Sequence, residues 1–332
     1  MPLPPRPDGP LRVVIDTDAA NEIDDYFAIA WALLSPDQLN VEAIHAAPFC
    51  HGHYFQVVNA AAEQRGGDRT ALETVAGAIG ADRAKQMAEK RSAAQGEQLS
   101  REGIDRLLDV MTLEQRPVVK AGSTRFMESP DDIVESDAAR NLIELAHASD
   151  ELLYVPTIGA ATNVAAALLM DPSIAEKIVV IFLAGYPSAV PHGDDSFNLV
   201  QDRFASNVLF ESGVHLLYQP GYQVAEVLGF SLPDSERWLK GHGVLGDLLH
   251  QIYLDNPIDR DVEKIGRSWV VWDIIATAWL LDPAWVPTFE TSRARVTERH
   301  TWEPIDGTML EAYKVQRDAI FGDLLAKVHA HG

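Results

Sequence analysis

The stretch that decides the fold is VVIDTDAANEIDDYFAIAWALL, residues 13–34. It opens with β-branched residues, which favour a buried strand, and it ends in an apolar run long enough for a helix. Between the two, residues 16–25 carry five carboxylates, which we place on one strand-to-helix loop. So many like charges repel one another unless a cation offsets them or the side chains point into solvent. Hard cations such as Ca²⁺ prefer oxygen ligands, so this loop predicts a metal site.

The alternation of short apolar runs with helical patterns continues along the chain. Strands are predicted at Leu11–Asp16, Val41–Ala47, Pro117–Ala121, Leu152–Pro156, Ile178–Ala184 and Val214–Tyr218. Helices are predicted at Asp25–Leu34, Tyr54–Gln64, Thr70–Ala88, Ile104–Leu113, Asp132–His147, Thr162–Leu169 and Arg203–Glu211. This order predicts an α/β fold with a Rossmann-like, mostly parallel sheet flanked by helices. Ligands in such folds bind just beyond the carboxyl ends of the strands.

The pattern becomes helical after residue 230, and no linker or repeat divides the chain. We therefore predict a single domain over residues 1–332, with a C-terminal helical elaboration. Its predicted elements are helices at Asp234–Lys240, Gly246–Leu254 and Trp272–Leu281, a strand at Glu290–Glu298 and a helix at Met309–Val328.

Composition excludes several classes of function. The chain has 27 Lys and Arg against 49 Asp and Glu, a net charge of −22, which disfavours nucleic acid and anionic membrane surfaces as partners. Cys50 is the only cysteine, so neither an intrachain disulfide nor a cysteine-rich zinc site is possible. No run of about 18 apolar residues is present. We expect a cytoplasmic protein that acts on a small molecule.

Four motifs, in order along the chain, resemble those of the inosine–uridine-preferring nucleoside hydrolase family. Each follows a predicted strand or opens a helix, which makes the combination more specific than any one of them. They are the Asp-x-Asp and Asp-Asp pairs of residues 16–25, TIGAATN at 157–163, Ser196-Phe197-Asn198 with Asp202, and Trp272-Asp273 followed by LDP at 281–283.

The resemblance implies a reaction and a set of roles. The reaction is the Ca²⁺-dependent hydrolysis of the N-glycosidic bond of ribonucleosides through an oxocarbenium-like transition state, giving free base and ribose. Homo-oligomers are implied as well. Asp18 would activate a metal-bound water as general base, Asp24 and Asn198 would bind the ribose, and Asp16 would hold the loop from behind. The implied Ca²⁺ ligands are Asp18, Asp25, Asp273 and the backbone carbonyl of Ile158.

The sequence departs from the family pattern at four places. Five residues separate Asp18 from Asp24, where the common pattern is shorter, and APFCH at 47–51 lacks an expected Asn. Ser196 replaces a ribose-binding Glu, a role that Asp194 or Asp195 could take over. Trp272 replaces a frequent His. Since Trp can stack on a purine, we expect a purine preference.

One histidine is a further candidate. His192, in the loop that follows the fifth strand, could protonate the leaving base, or it could be an ordinary exposed histidine.

Two other functions compete with nucleoside hydrolysis. They are a non-catalytic or degenerate ribose- or metal-binding member, and a haloacid-dehalogenase-type phosphatase. The phosphatase family also starts with Asp-x-Asp, but it requires Thr or Val where Ala20 stands.

Overall fold

The computed structural model describes residues 6–7, 9–67, 82, 85, 92–256 and 268–332. Its strands are β1 (Leu11–Thr17), β2 (Leu39–Ala46), β3 (Val118–Lys120), β4 (Leu153–Thr157), β5 (Ile178–Ala184), β6 (His215–Pro220), β7 (Gly229–Ser231), β8 (Ser268–Val270), β9 (Thr288–Val296) and β10 (Trp302–Ala312). Its α-helices are α1 (Asp24–Leu33), α2 (His51–Gln64), α3 (Ala93–Val110), α4 (Asp137–His147), α5 (Thr162–Met170), α6 (Phe197–Val200), α7 (Arg203–Glu211), α8 (Leu232–Trp238), α9 (Gly243–Leu254), α10 (Ile274–Leu281) and α11 (Arg317–His331).

Eight strands form the central sheet, in the order β3-β2-β1-β4-β5-β6-β10-β9. Every neighbouring pair is parallel except β10 and β9, which are antiparallel, and β7 pairs with β8 in a separate ribbon. The predicted mostly parallel sheet flanked by helices is therefore confirmed. The chain runs outward from β1 in one direction and from β4 in the other. This switch point opens a crevice at the carboxyl ends of the two strands, where ligands bind in such sheets.

Alternation of side chains along the strands builds one core on each face of the sheet. In β5, Val179, Ile181 and Leu183 join one core, and Val180, Phe182 and Ala184 join the other. The first core is covered by helices that include α1 and α10, and the second by α4, α5 and α7. Because both faces are covered, the central strands are apolar almost without interruption.

The C-terminal part differs from prediction at three strands, since β7, β8 and β10 were not predicted. The predicted helix Met309–Val328 is wrong over residues 309–316, of which the first four lie in β10, and the helix begins only at Arg317. β10 contains Pro304 and Gly307 and is exposed over much of its first half, so its sequence lacks the apolar run of a central strand. Its place in the sheet is fixed by pairing with β6 and β9, which is a tertiary effect.

Two features remain, the helix predicted at Thr70–Ala88 and the question of membrane-spanning helices. The predicted helix Thr70–Ala88 lies almost wholly outside the described residues. Among the residues that are described, no helix combines the length and the apolar character that a membrane crossing requires.

Candidate active site

The carboxylate-rich loop lies at the carboxyl end of β1, as the sequence predicts. β1 ends at Thr17 and α1 begins at Asp24, whose first turn also contains Asp25. The backbone N–H of Asn21 donates to the carbonyl of Asp18 at 2.9 Å, and Ala20 turns the chain with φ of 75°. This turn leaves Asp18 2%, Asp24 4% and Asp25 1% exposed. The five-residue loop therefore still brings its acids inward.

One cavity collects these acids together with residues from the ends of β4, β5 and β6. Asp18, Asp24, Asp25, Ile158, Asn198, Trp272 and Asp273, all predicted as site residues, line it. The other lining residues are Asn21, Glu22, Leu183, Ala184, Gly185, Ser196, Phe197, Gly221 and Tyr222.

Three of the acids form a group that suits a cation. Carboxylate oxygens of Asp24, Asp25 and Asp273 lie within 4.8 Å of one another. Asp273 immediately precedes α10, so the N-termini of α1 and α10 meet here. Asp18 borders the same cavity, and its Oδ2 is buried without a hydrogen-bond partner among the described residues. An all-oxygen set of buried carboxylates fits a hard divalent cation.

The electrostatics of the cluster agree with this fit. Burial, and then the charges of Asp25, Asp24 and Glu22, raise the pKa of Asp18 well above its ordinary value. Burial and the charges of its neighbours, Asp24 first, do the same to the pKa of Asp273. Burial raises the pKa of Asp25 to about 6, although Thr17 donates a hydrogen bond to it. A bound cation would relieve this repulsion and keep the carboxylates ionised.

Asp16 lies behind the cavity rather than in its wall. It is fully buried, and its Oδ2 accepts a hydrogen bond from Nδ2 of Asn163 at 3.0 Å. Burial raises its pKa to about 7, against the opposing effect of that hydrogen bond. This is the position expected of a residue that holds the loop.

The end of β4 approaches the acidic loop closely. A Cβ on Gly159 would lie 2.9 Å from the backbone nitrogen of Asp18, so the approach requires glycine. The carbonyl of Ile158 accepts a hydrogen bond from Nδ2 of Asn198 at 3.0 Å, and the same amide donates to the carbonyl of Leu183 at 3.2 Å. Asn198 therefore joins the ends of β4 and β5 beneath the cavity.

An aromatic wall borders the acids. Trp272 and Tyr222 meet edge to face, with ring centroids 5.4 Å apart. Tyr222 in turn stacks on Tyr186, with centroids 4.5 Å apart and planes inclined by 22°. Carboxylates and flat rings in the wall of one cavity suit a ligand with a hydroxyl-rich part and a planar part.

Two predicted substrate-binding residues lie outside the lining of this cavity. The carboxylate of Asp195 is bound by Arg65 at 2.5 Å and by Nδ1 of His300 at 2.7 Å. These hydrogen bonds lower its pKa even though burial acts in the opposite direction. His192 is exposed, and its ring meets Tyr186 edge to face at 4.7 Å. It therefore borders the aromatic wall from outside.

Asp194, the other acid considered as a replacement for the missing Glu, has a structural role. It is fully buried and accepts hydrogen bonds from the backbone of Tyr186 at 2.7 Å and of Ser196 at 3.2 Å. The loop after β5 is thus folded around this carboxylate. Ser196 lines the cavity, and its hydroxyl is buried without a hydrogen-bond partner in the described part of the chain.

Two residues of the cavity received no role in the sequence analysis. Glu22 is one of the five loop acids, and Tyr222 follows the apolar run of the sixth strand. The rule that ligands bind beyond strand ends covers both positions. The resemblance assigns no role to either residue, and for that reason they were not among the candidates.

A larger hollow of about 600 Å³ lies between α7 and β9 and contains acids as well. These acids are exposed, and two of them are paired with Arg295, Glu303 at 2.8 Å and Glu211 at 3.7 Å. They therefore lack the unrelieved burial of charge seen at the end of β1. We place the active site in the smaller cavity.

Known proteins share the fold described above. Three solved structures align over nearly their whole length and share the fold. They are a plant nucleoside hydrolase (20% identity, 97% of this chain and 99% of that one, TM-score 0.60), the inosine-uridine preferring nucleoside hydrolase from Bacillus anthracis (15%, 96% and 99%, 0.60) and an inosine-guanosine nucleoside hydrolase (15%, 96% and 98%, 0.63). A search of curated proteins gave no significant match.

The family assignment comes from the sequence itself. The model of the family described as inosine-uridine preferring nucleoside hydrolase matches residues 13–319, from the first strand into the last helix. The chain belongs to this family and is a hydrolase that acts on nucleosides.

Proposed function

We propose that this protein hydrolyses the N-glycosidic bond of purine ribonucleosides with the help of a Ca²⁺ ion. The observation that carries the proposal is the cavity in which buried carboxylates meet an aromatic wall. Asp18, Asp24, Asp25 and Asp273 line it together with Trp272 and Tyr222. A nucleoside has a matching division between its ribose and its base.

Asp18, Asp25, Asp273 and the carbonyl of Ile158 would hold the ion. Their support is the burial of the three carboxylates and the 4.8 Å grouping of Asp25 and Asp273 with Asp24. When bound, Ca²⁺ supplies positive charge that orients the ribose hydroxyls and the attacking water and makes that water more acidic. Since Asp24 belongs to the same group, it would bind a ribose hydroxyl next to the ion.

Asp18 would act as the general base. Its Oδ2 borders the cavity without a partner among the described residues, so it is free to accept the proton of a water molecule. The closely approaching Gly159 fixes the backbone at Asp18. The carboxylate is thereby held in one position relative to the ribose, which lowers the entropic cost of reaching the transition state.

The remaining acids would stabilise the transition state. Positive charge develops on the ribose ring as the bond to the base breaks, and nearby carboxylates interact favourably with it. Asn198 would bind the ribose from the side opposite the ion; its Nδ2 donates to the carbonyls at the ends of β4 and β5, which leaves its Oδ1 to accept from a ribose hydroxyl.

The base would stack on the aromatic wall. Trp272 presents a two-ring surface that matches a purine better than a pyrimidine. Two solved structures with this fold are described as a purine-preferring ribonucleoside hydrolase from Gardnerella vaginalis and an inosine-guanosine nucleoside hydrolase, which supports the same choice. His192 stays a predicted acid for the leaving base, and its exposure outside the cavity lining gives that role little support.

The test is the release of reducing sugar from inosine, guanosine, adenosine and uridine, with and without a Ca²⁺ chelator. We expect ribose from the purine nucleosides, with no release after chelation or in Asp18→Asn. Ca²⁺ binding without any release of ribose would instead identify a degenerate member, consistent with Ser196 in place of a Glu. Release of phosphate from a phosphomonoester would point to the phosphatase alternative.

A further inference from the structure

Glu22 is a carboxylate of the cavity to which the proposed reaction assigns no role. It belongs to the five-residue loop between Asp18 and Asp24. Its Oε2 accepts a hydrogen bond from Nε1 of Trp269 at 3.0 Å. Trp269 lies in β8, three residues before Trp272, so the indole N–H ties the tip of the loop to the segment that leads into the aromatic wall.

The second oxygen of this carboxylate, Oε1, accepts no hydrogen bond from the part of the chain that the structure describes, and the residue lines the cavity. The hydrogen bond from Trp269 holds Oε2 and thereby orients the carboxyl group, and Oε1 remains available as an acceptor. An oriented acceptor without a partner in the wall of a ligand cavity calls for a donor on the ligand.

Glu22 lines the cavity together with acids and with the aromatic wall. Its charge contributes, after burial, to the raised pKa values of Asp18 and Asp24. It also contributes, after burial, to the raised pKa of the Tyr222 phenol in the aromatic wall. Glu22 is therefore within electrostatic reach of both groups of residues.

Two other polar atoms of this cavity also lack partners among the described residues. Oδ1 of Asn21, the preceding loop residue, and the hydroxyl of Ser196 both border the cavity, are buried, and make no hydrogen bond within the described residues. The longer loop thus adds two hydrogen-bonding side chains, Asn21 and Glu22, to a cavity that lacks a carboxylate at position 196.

We propose that Glu22 is a specificity-determining residue whose Oε1 accepts a hydrogen bond from a donor group of the nucleoside. This inference rests on the proposed function. Two parts of a nucleoside offer such a donor, the 5′-hydroxyl of the ribose and the N–H groups of the base. Trp269 is a positioning residue that acts through Glu22. A substrate that lacks the donor forgoes a hydrogen bond to a charged acceptor and is therefore disfavoured.

The test compares matched substrates on matched variants, in buffer with added CaCl₂. One pair is adenosine and 5′-deoxyadenosine, which isolates the hydroxyl. The other is adenosine and purine riboside, which isolates the exocyclic amino group. Wild type is compared with Glu22→Gln, which still accepts from Trp269 but places an NH₂ group where Oε1 was. Trp269→Phe is the second variant, and Glu114→Gln, on an exposed carboxylate outside the cavity, is the charge-matched control.

We expect wild type and Glu114→Gln to favour the substrate with the donor by roughly tenfold to a hundredfold in kcat/KM, for one of the two pairs. That ratio should fall to within about threefold of one in Glu22→Gln and should fall part of the way in Trp269→Phe. The affinity for Ca²⁺, measured by calorimetry, should be the same in wild type and Glu22→Gln. The pair that responds identifies the donor.

Three results would overturn the inference. Ratios for both pairs that are unchanged in Glu22→Gln and Trp269→Phe would show that Glu22 does not bind substrate. Loss of Ca²⁺ affinity in parallel with loss of activity would show that Glu22 acts on the cation instead. Wild type that hydrolyses no nucleoside overturns the proposed function as well, so the two failures are distinguishable. If Glu22→Gln does not fold, as judged by its thermal melt, Trp269→Phe decides.

Discussion

Nδ2 of Asn163 lies 3.0 Å from Oδ2 of Asp16, although the two residues are 147 positions apart in sequence. The same amide group donates to the carbonyl of Ala46 at 3.1 Å. Its Oδ1 accepts from the backbone N–H of Ser123 at 2.7 Å and from the Ser123 hydroxyl at 2.9 Å. One buried side chain therefore connects the carboxyl ends of β1 and β2 with the segment after β3, directly behind the acidic loop.

Asn163→Ala should destabilise the protein by about 2–4 kcal/mol, because it leaves a buried carboxyl and several buried backbone groups unpaired. The measurement is urea unfolding at neutral pH. Asn40→Ala is the control, since Asn40 is exposed, and it should change the unfolding free energy by less than about 0.5 kcal/mol. Equal stabilities of the two variants would show that the network contributes little.

Asp18→Asn should lower kcat by about 10²- to 10⁴-fold and, when both proteins are compared in EGTA, should leave the thermal melting temperature near that of wild type or above it. The amide cannot accept the proton of water, and it also removes one charge from a repulsive cluster. Asp37→Asn, an exposed carboxylate, serves as control and should behave like wild type in both measurements. Near-normal turnover of Asp18→Asn would rule out the assignment of Asp18 as base.

Removal of the cation should reduce both activity and stability. At a Ca²⁺ concentration of a hundred times its Kd, the ion stabilises the native state by about 2.7 kcal/mol, and this is lost on chelation. Differential scanning calorimetry before and after dialysis against EGTA measures the change, and re-addition of CaCl₂ should restore the transition. If EGTA changes neither the melting curve nor the turnover rate, the proposed Ca²⁺ site made by Asp18, Asp25 and Asp273 is contradicted.

Trp272→Ala should reduce kcat/KM by about tenfold for inosine and guanosine, and by less for uridine, because the larger ring system loses more stacking area. Trp272→Phe keeps an aromatic face and should retain most of the activity on purine nucleosides. Steady-state kinetics on the three nucleosides provide the comparison. Equal losses for purine and pyrimidine substrates would exclude stacking on Trp272 as the source of a base preference.

Protonation of His45 should make the fold less stable in mild acid. This fully buried residue, in β2, has its pKa lowered by burial from 6.5 to about 4, while its Nε2 interacts with Asn141 at 3.0 Å. Between these two pH values the unfolded chain binds a proton that the native protein does not. The contribution of His45 is therefore complete above about pH 6.5 and is lost as the pH falls towards 4, by about 3 kcal/mol in total.

The measurement for His45 is the urea-unfolding free energy at intervals between pH 4 and 7.5. His45→Gln should show a shallower decline with falling pH than wild type. His329→Gln, on the exposed side of α11, should keep the wild-type slope. Parallel curves for His45→Gln and wild type would mean that burial of His45 has no such effect.

Sequence reasoning was most successful where local pattern and tertiary environment agree. β5 was predicted with its observed bounds, Ile178–Ala184, because a strand covered on both faces is apolar at every position. The prediction of a helix was wrong at Met309–Ala312. There a short apolar run continues a strand, β10, that begins among charged and turn-forming residues. Membership of β10 in the sheet depends on β6, about 90 residues earlier, and no local pattern records that pairing.

For the cavity as well, residues that follow a local pattern were predictable and residues placed by tertiary packing were not. Asp18, Asp24 and Asp25 were identifiable because they follow a strand in close succession, and the resemblance added the distant Asp273. Tyr222 and Glu22 reach the cavity through the paths of two loops, which are set by packing rather than by periodicity. The partners of Asp195 were likewise hidden, because Arg65 and His300 come from opposite ends of the chain.

The position of β10 between β6 and β9 also has a consequence for biosynthesis. Until residues 302–312 have left the ribosome, β6 forms the open edge of the growing sheet. All six residues of β6 are buried in the folded protein. An unpaired apolar edge is a template for association with other chains. The hairpin of β9 and β10 therefore covers this edge late in synthesis and makes the chain less prone to aggregate. A nascent chain that stalls before residue 302 keeps the edge of β6 unpaired.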